Sequence, residues 1–124
     1  MEFIEAPAFT RHLPAYLNDD EYKELQARLG SNPELGDLMP GTGGFRKVRW
    51  ADARRGKGRR GGLRIIYYHF KSDHRIWLMT LYDKGEASDL TASEKKALKA
   101  AIENELEARS VRRTAGFRGP RRTQ

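Results

Sequence analysis

The sequence predicts an α+β fold with N-terminal helices, a small antiparallel sheet of about four strands, and a C-terminal helix. Three observations support this prediction. Apolar residues recur at helical spacing before residue 30, alternating and β-branched segments fill residues 45 to 82, and a second amphipathic stretch begins near residue 91. Helices, strands and a final helix thus occur in blocks, an order typical of α+β rather than α/β proteins.

The N-terminal helices are predicted from capping and breaking residues. Asn18 can cap a helix, and Glu21 follows three residues later, as in a capping box. Pro14 is expected to break or kink the helix before it, and Gly30 to end the helix that Asn18 starts. The short segment Glu2–Ala6 is interpreted as an edge strand.

Three consecutive strands are predicted at residues 45–50, 63–70 and 75–82. Because the links between them are short, they should form an antiparallel meander. The alternation of side chains places Lys47 and Arg49 together on one face of the first strand.

The last helix should begin at a second capping box, formed by Thr91 and Glu94. Residues 1–108 are interpreted as one domain, and residues 109–124 as a basic, disordered tail. The apolar stripe of this helix is predicted to contain Leu98, Ala101, Ile102 and Leu106.

Charge is strongly segregated along the 124 residues, whose net charge is +7. Residues 41–64 hold nine Lys and Arg against one acid, Asp52, and residues 109–124 hold six Arg and no acid. Such segregation favours a polyanionic partner, most plausibly nucleic acid, although a merely solvated basic loop gives the same pattern. The chain has no cysteine, which excludes disulfides and thiolate metal sites. With no signal peptide and no long apolar run, a soluble cytoplasmic protein without membrane contact is expected.

Cations and a tyrosine are expected to meet at one end of the sheet. Lys47 and Arg49 share a strand face, Arg64 lies on the next strand, and Tyr82 and Lys84 stand at the end of the third. Fixed cations around one point stabilise a phosphorane, and they favour the neutral form of a lysine among them, which can then accept a proton. The constellation is therefore a candidate site for phosphodiester chemistry.

Three segments together resemble the RelE/HigB superfamily of type II toxin–antitoxin toxins, and most closely its HigB branch. They read LGDLMPGTGGFRKVRW, GKGRRGGLRIIYY and LMTLYDKGEASDLTASEKKALK. The resemblance implies a RelE-like microbial RNase fold and a metal-independent endoribonuclease that needs no cofactor and cleaves mRNA on the ribosome. It also implies that a cognate antitoxin, similar to HigA or RelB, neutralises the toxin in an oligomeric complex.

The resemblance also implies residue roles. Lys84 or Lys47 would act as base, Arg64 and Arg49 would clamp the transition state, and Tyr82 would position the substrate or act as acid. RNA or ribosome binding is expected of Arg46, Arg54, Arg55, Lys57, Arg59 and Arg60.

Two departures from the family pattern leave alternatives open. Gly85 stands where many RelE members have an arginine, and Leu90 or Thr91 where some have a catalytic tyrosine. Two alternatives follow from these departures. The chain is then either a non-catalytic module that binds RNA or the ribosome, or a degenerate toxin that only binds its antitoxin.

Overall fold

The computed structural model describes residues 1–52, 62–87 and 89–122, with side chains up to residue 112. These residues form two compact units. The first contains Met1–Met39 and Gly44–Asp89, and the second contains Pro40–Gly43 and the chain from Leu90 onward. In chain order the elements are β1 (Glu2–Glu5), α1 (Pro7–Tyr16), α2 (Asp19–Ser31), β2 (Asp37–Leu38), β3 (Arg46–Trp50), β4 (Leu63–Phe70), β5 (Arg75–Asp83) and α3 (Ala92–Arg122).

The predicted α+β class is confirmed, but the prediction of about four antiparallel strands is wrong. The sheet has five strands in the order β1-β5-β4-β3-β2, and it is mixed because β1 runs parallel to β5. Two parallel neighbouring strands require a long crossover connection. Helices α1 and α2 and strands β2, β3 and β4 form the connection between β1 and β5. The fifth strand, β2, pairs only Asp37 with Lys47 and Leu38 with Arg46, so it is too short to show an alternating pattern.

The first capping box is confirmed. Pro14 does not break α1, and α2 ends one residue after the predicted Gly30. Asn18 Oδ1 accepts the Glu21 N–H at 2.8 Å, and Glu21 Oε1 accepts the Asn18 N–H at 2.8 Å. Helix α1 continues two residues past Pro14, because a proline in the last turn removes only one helical hydrogen bond. Helix α2 passes through Gly30 and ends at Ser31.

The hydrophobic core of the first unit lies between the two N-terminal helices and one face of the sheet. Side chains from α1 and α2 meet alternate residues of β3, β4 and β5 there. Its buried members are Phe9, Leu17, Leu25, Leu29, Val48, Leu63, Ile65, Tyr67, Ile76, Leu78 and Leu81. This surface of the sheet is called the core face below.

A β-bulge shifts the alternation of β5 against β4. Ile66 pairs with Thr80, but the next residue, Tyr67, pairs with Leu78. Met79 is therefore the extra residue of the bulge. The shift keeps Leu78 on the core face although its spacing from Leu81 breaks the two-residue period.

The second unit consists mainly of α3, which begins as predicted. Glu94 N–H donates to Thr91 Oγ1 at 3.1 Å, and Thr91 N–H donates to Glu94 Oε1 at 2.8 Å. Ile102 is buried as expected, whereas Leu106 is 42% exposed and does not belong to the buried stripe.

Helix α3 extends beyond residue 108 as far as Arg122. On its surface, Glu105 accepts hydrogen bonds from Arg109 at 3.1 Å and from Arg112 at 3.3 Å. The division of the chain at residue 108 stays a prediction. In the part of the chain that the structure describes, no helix has the length and apolarity that a bilayer span requires.

Candidate functional site

Four of the five residues expected to carry chemistry lie on one face of the sheet, opposite the core face, and the fifth, Lys84, lies in the turn after β5. Arg49 on β3 pairs with Arg64 on β4, which in turn pairs with Tyr82 on β5. Directly opposed residues project to the same side of a sheet, so these three form a row across it. Lys47 stands two residues before Arg49, on the same side of the alternation. This surface is called the cationic face below.

Arg49 and Arg64 stand directly opposite each other on neighbouring strands but differ in exposure. Arg49 is exposed to solvent, whereas Arg64 is only 7% exposed and its Nη1 donates to the carbonyl oxygen of Leu63 at 3.2 Å. One guanidinium of the pair therefore reaches solvent, and the other is held close to the sheet.

A carboxylate that the sequence did not single out joins three of these residues. Tyr82 donates its phenolic O–H to Asp89 Oδ1 at 3.2 Å. The Nζ atoms of Lys47 and Lys84 lie 4.0 and 3.9 Å from the two oxygens of the same carboxylate. The side chains of Lys47, Lys84 and Asp89 are 31%, 53% and 47% exposed, so solutes can reach the cluster. The geometry therefore shows that these cations and this hydroxyl can surround one anionic group.

Backbone contacts hold Lys84 at the edge of this cluster. Its N–H donates to the carbonyl oxygen of Gly62 at 2.9 Å, which links the ends of β4 and β5. Immediately before it, Asp83 is buried and its Oδ1 accepts the Gly85 N–H at 2.7 Å. A buried carboxylate bonded to the turn backbone fixes the direction in which the chain leaves β5. The backbone of Lys84 is thus held by the fold, and its exposed side chain extends from this fixed point.

Aromatic rings occupy the other end of the cationic face. Phe45 lies 5.4 Å from Tyr68 and 6.1 Å from Trp77, measured between ring centroids. Phe70 lies 4.8 Å from Tyr68 and 6.2 Å from Trp77. The bulge in β5 brings Trp77 to this side. Tyr68 and Trp77 are half-buried within the cluster, so these rings pack mainly against one another.

Arg46, which is expected to bind RNA, binds a loop of the protein itself. Its Nη1 donates to the carbonyl oxygen of Gly36 at 2.7 Å, and its Nη2 lies 4.0 Å from the Glu34 carboxylate. The same loop is bound by Tyr67, whose hydroxyl donates to the Pro33 carbonyl oxygen at 2.8 Å and accepts the Gly36 N–H at 2.9 Å. These contacts give Arg46 a structural role, and a role in RNA binding stays a prediction.

The remaining residues expected to bind RNA or the ribosome lie outside the described residues. They are Arg54, Arg55, Lys57, Arg59 and Arg60.

The glycines of the 41–44 segment have structural reasons of their own. Gly41, Gly43 and Gly44 adopt positive φ angles of 80°, 80° and 117°, a region that other residues rarely enter. A Cβ on Gly44 would lie 3.1 Å from the Tyr68 ring, and one on Gly43 would lie 2.9 Å from Ile102. The backbone conformation and the close packing of the segment that leads into β3 therefore account for these glycines.

No protein-family model matches the chain. Among the described residues, no group of three or more His, Asp and Glu is arranged to hold a metal ion. The chemistry of the cationic face is therefore argued from its own geometry.

Proposed function

We propose that the protein is the toxin of a type II toxin–antitoxin pair, an endoribonuclease similar to RelE and HigB that cleaves mRNA on the ribosome. The observation that supports this function best is the row Arg49, Arg64 and Tyr82, with Lys47 on the same face and Lys84 in the turn after β5. The mixed α+β sheet is compatible with the RelE-like microbial RNase fold, which forms part of the proposal.

The nature of the clustered groups favours a phosphodiester as the ligand. Guanidinium groups bind phosphate oxygens through two parallel hydrogen bonds, and lysines add point charges. Two guanidinium groups on directly opposed residues, with lysines beside them, are better suited to an anionic ligand than to a neutral one. The exposure of Arg49 and Lys84 makes the site accessible to a polymer.

The proposed reaction needs only these side chains and the RNA. Lys84 or Lys47 takes the proton from a ribose 2′-hydroxyl, whose oxygen then bonds to the adjacent phosphorus. Arg49 and Arg64 stabilise the extra negative charge on the phosphorane. The bond from phosphorus to the 5′-oxygen breaks, and that oxygen takes a proton from Tyr82 or, where Tyr82 only positions the phosphate, from the lysine that accepted the 2′-hydroxyl proton. The products are a 2′,3′-cyclic phosphate and a 5′-hydroxyl end.

The partners in this proposal are mRNA, the ribosome and an antitoxin protein, and the place of action is the cytoplasm. A cognate antitoxin would have to cover the cationic face or hold the toxin away from the ribosome.

Inducible expression with mapping of RNA ends tests the proposal. Wild-type protein should arrest growth and produce new 5′-hydroxyl ends within coding regions. Lys84→Ala should lower cleavage about 100-fold or more, the effect typical of losing one transition-state contact. Lys23→Ala is the matched control, because Lys23 is an exposed lysine of α2, and it should cleave like wild type.

The same experiment separates the alternatives. Growth arrest with intact transcripts would favour a module that only binds RNA or the ribosome. Its affinity for RNA should fall steeply with salt concentration, with a log–log slope of about one per phosphate contacted. A chain that neither arrests growth nor cuts RNA would overturn the proposal, provided that circular dichroism shows it to be folded.

A further inference from the structure

The strongest unexplained feature of the molecule is the carboxylate of Asp89. Its two oxygens face Tyr82, Lys47 and Lys84, at 3.2, 4.0 and 3.9 Å respectively. These three residues are among those to which the proposed function assigns the phosphate. The negative group that they surround in the structure therefore belongs to the protein itself.

We infer that Asp89 is an intramolecular competitor of the RNA phosphate, which must displace this carboxylate to bind. This inference rests on the proposed function. The carboxylate and a phosphodiester have the same sign of charge and both accept hydrogen bonds only. They cannot share three donors, since two anions side by side repel each other.

The contacts of Asp89 are loose enough to be exchanged. Charge-assisted N–H···O bonds are typically about 2.7–2.9 Å long, whereas both lysine nitrogens lie about 1 Å farther from the carboxylate. All three charged side chains are between 31% and 53% exposed, so water and salt screen the attraction. Contacts of this kind hold the carboxylate in place when no ligand is bound, and they yield to a ligand that gains closer contacts.

The position of Asp89 in the chain allows it to leave without disturbing the sheet. It follows β5 by six residues, and the turn in between is closed at its start by Asp83, which accepts the Gly85 N–H. The Lys84 N–H remains bonded to Gly62 independently of Asp89. Movement of the carboxylate therefore leaves the cations where β3, β4 and β5 put them.

Binding of a non-cleavable RNA tests the inference. The probe is a fluorescent 2′-O-methyl oligoribonucleotide, followed by anisotropy at fixed ionic strength. Asp89→Asn removes the competing charge and nearly preserves the shape, so the dissociation constant should fall roughly three- to tenfold, as expected for losing a few exposed ion-pair contacts. Glu24→Gln removes the same charge from an exposed position on α2 and should change it less than about twofold, because that charge is distant and screened.

The outcomes of this experiment test the inference separately from the proposed function. If Lys84→Ala weakens binding but Asp89→Asn binds no more tightly than Glu24→Gln, Asp89 is no competitor and the proposed function stands. If none of these variants alters binding, the cationic face does not bind RNA and both ideas fail. If cleavage by Asp89→Asn is slower at saturating RNA while the affinity is unchanged, Asp89 orients Tyr82 instead, and the inference is overturned.

Discussion

The two faces of β4 make opposite contributions from one strand of eight residues. Leu63, Ile65 and Tyr67 are fully buried on the core face, where they pack against side chains of α1 and α2. Arg64 lies between them in sequence, yet it projects to the other side, between Arg49 and Tyr82. Burial of apolar surface stabilises the fold, and Ile66, on the same side as Arg64, is fully buried as well. The comparison teaches that the apolar residues of the core face can be altered separately from the charged residues beside Arg64.

The largest difference should appear when one residue is shortened on each face. Ile65→Ala should lower the free energy of unfolding by about 2–5 kcal/mol, because it leaves a cavity in the core. Arg49→Ala, at an exposed position, should change it by less than about 0.5 kcal/mol. Urea denaturation measures both. Equal losses would show that the two faces are not separable.

A second effect concerns the loop that Tyr67 holds at the edge of the core face. A Cβ added to Gly36 would lie 2.9 Å from the Lys47 carbonyl carbon and 3.0 Å from Tyr67 Cε1. Gly36→Ala should therefore destabilise the protein by about 1–3 kcal/mol, a cost typical of overpacking. In Gly30→Ala the nearest atom is 4.0 Å away, and the helix should gain about 0.5–1 kcal/mol. Thermal unfolding of both glycine variants checks that their stabilities change in opposite directions.

Two tyrosines on opposite faces sharpen the comparison further. Tyr67→Phe removes the partner of the Gly36 N–H and of the Pro33 carbonyl, so it should cost about 1–3 kcal/mol of stability without reducing RNA binding by the folded protein. Tyr82→Phe should leave stability within about 0.5 kcal/mol and reduce cleavage. Chemical denaturation and an RNA cleavage assay on both variants provide the measurement. A stability loss confined to Tyr82→Phe would reverse the assignment of the faces.

The smallest expected effect is a pH dependence of stability that comes from His69, near the end of β4. Burial lowers the pKa of His69 below its usual 6.5, and the charges of Lys71, Arg46 and His74 lower it further, while Glu34 opposes them. His69 thus binds a proton more readily in the unfolded chain than in the folded protein. The free energy of unfolding should therefore fall as the pH drops from 6.5 toward the lower pKa of His69 in the folded protein. His69→Gln should flatten this slope in denaturation series between about pH 5 and 7. If the slope is unchanged in His69→Gln, the pH dependence of stability comes from other titratable groups.

Features that depend on local chemistry were predictable from the sequence. The bounds of β4 agree with the predicted residues 63–70, since a run of β-branched and aromatic residues between glycines and a polar turn has few other solutions. Both capping boxes also form as expected, because each involves residues only three positions apart.

Features that depend on distant pairing were not predictable. The parallel partner of β1 and the two-residue strand β2 are determined by contacts across the whole first unit. The bulge at Met79 lets both Leu78 and Leu81 face the same buried layer, an arrangement that depends on the partner strand β4. Asp89 left no trace in the sequence either, because an acid two residues before a capping threonine looks like an ordinary helix-start residue.

The pairing of Trp50 with Leu63 has a consequence for the twelve residues that connect them. Paired strand residues are about 5 Å apart, so this arginine-rich connection starts and finishes beside Arg49 and Arg64. If its cations capture RNA, the bound RNA then reaches the cationic face within the same complex. The effective concentration of RNA at that face is then in the millimolar range. Neutralising the connection would then raise the KM for every substrate alike and leave the turnover number untouched.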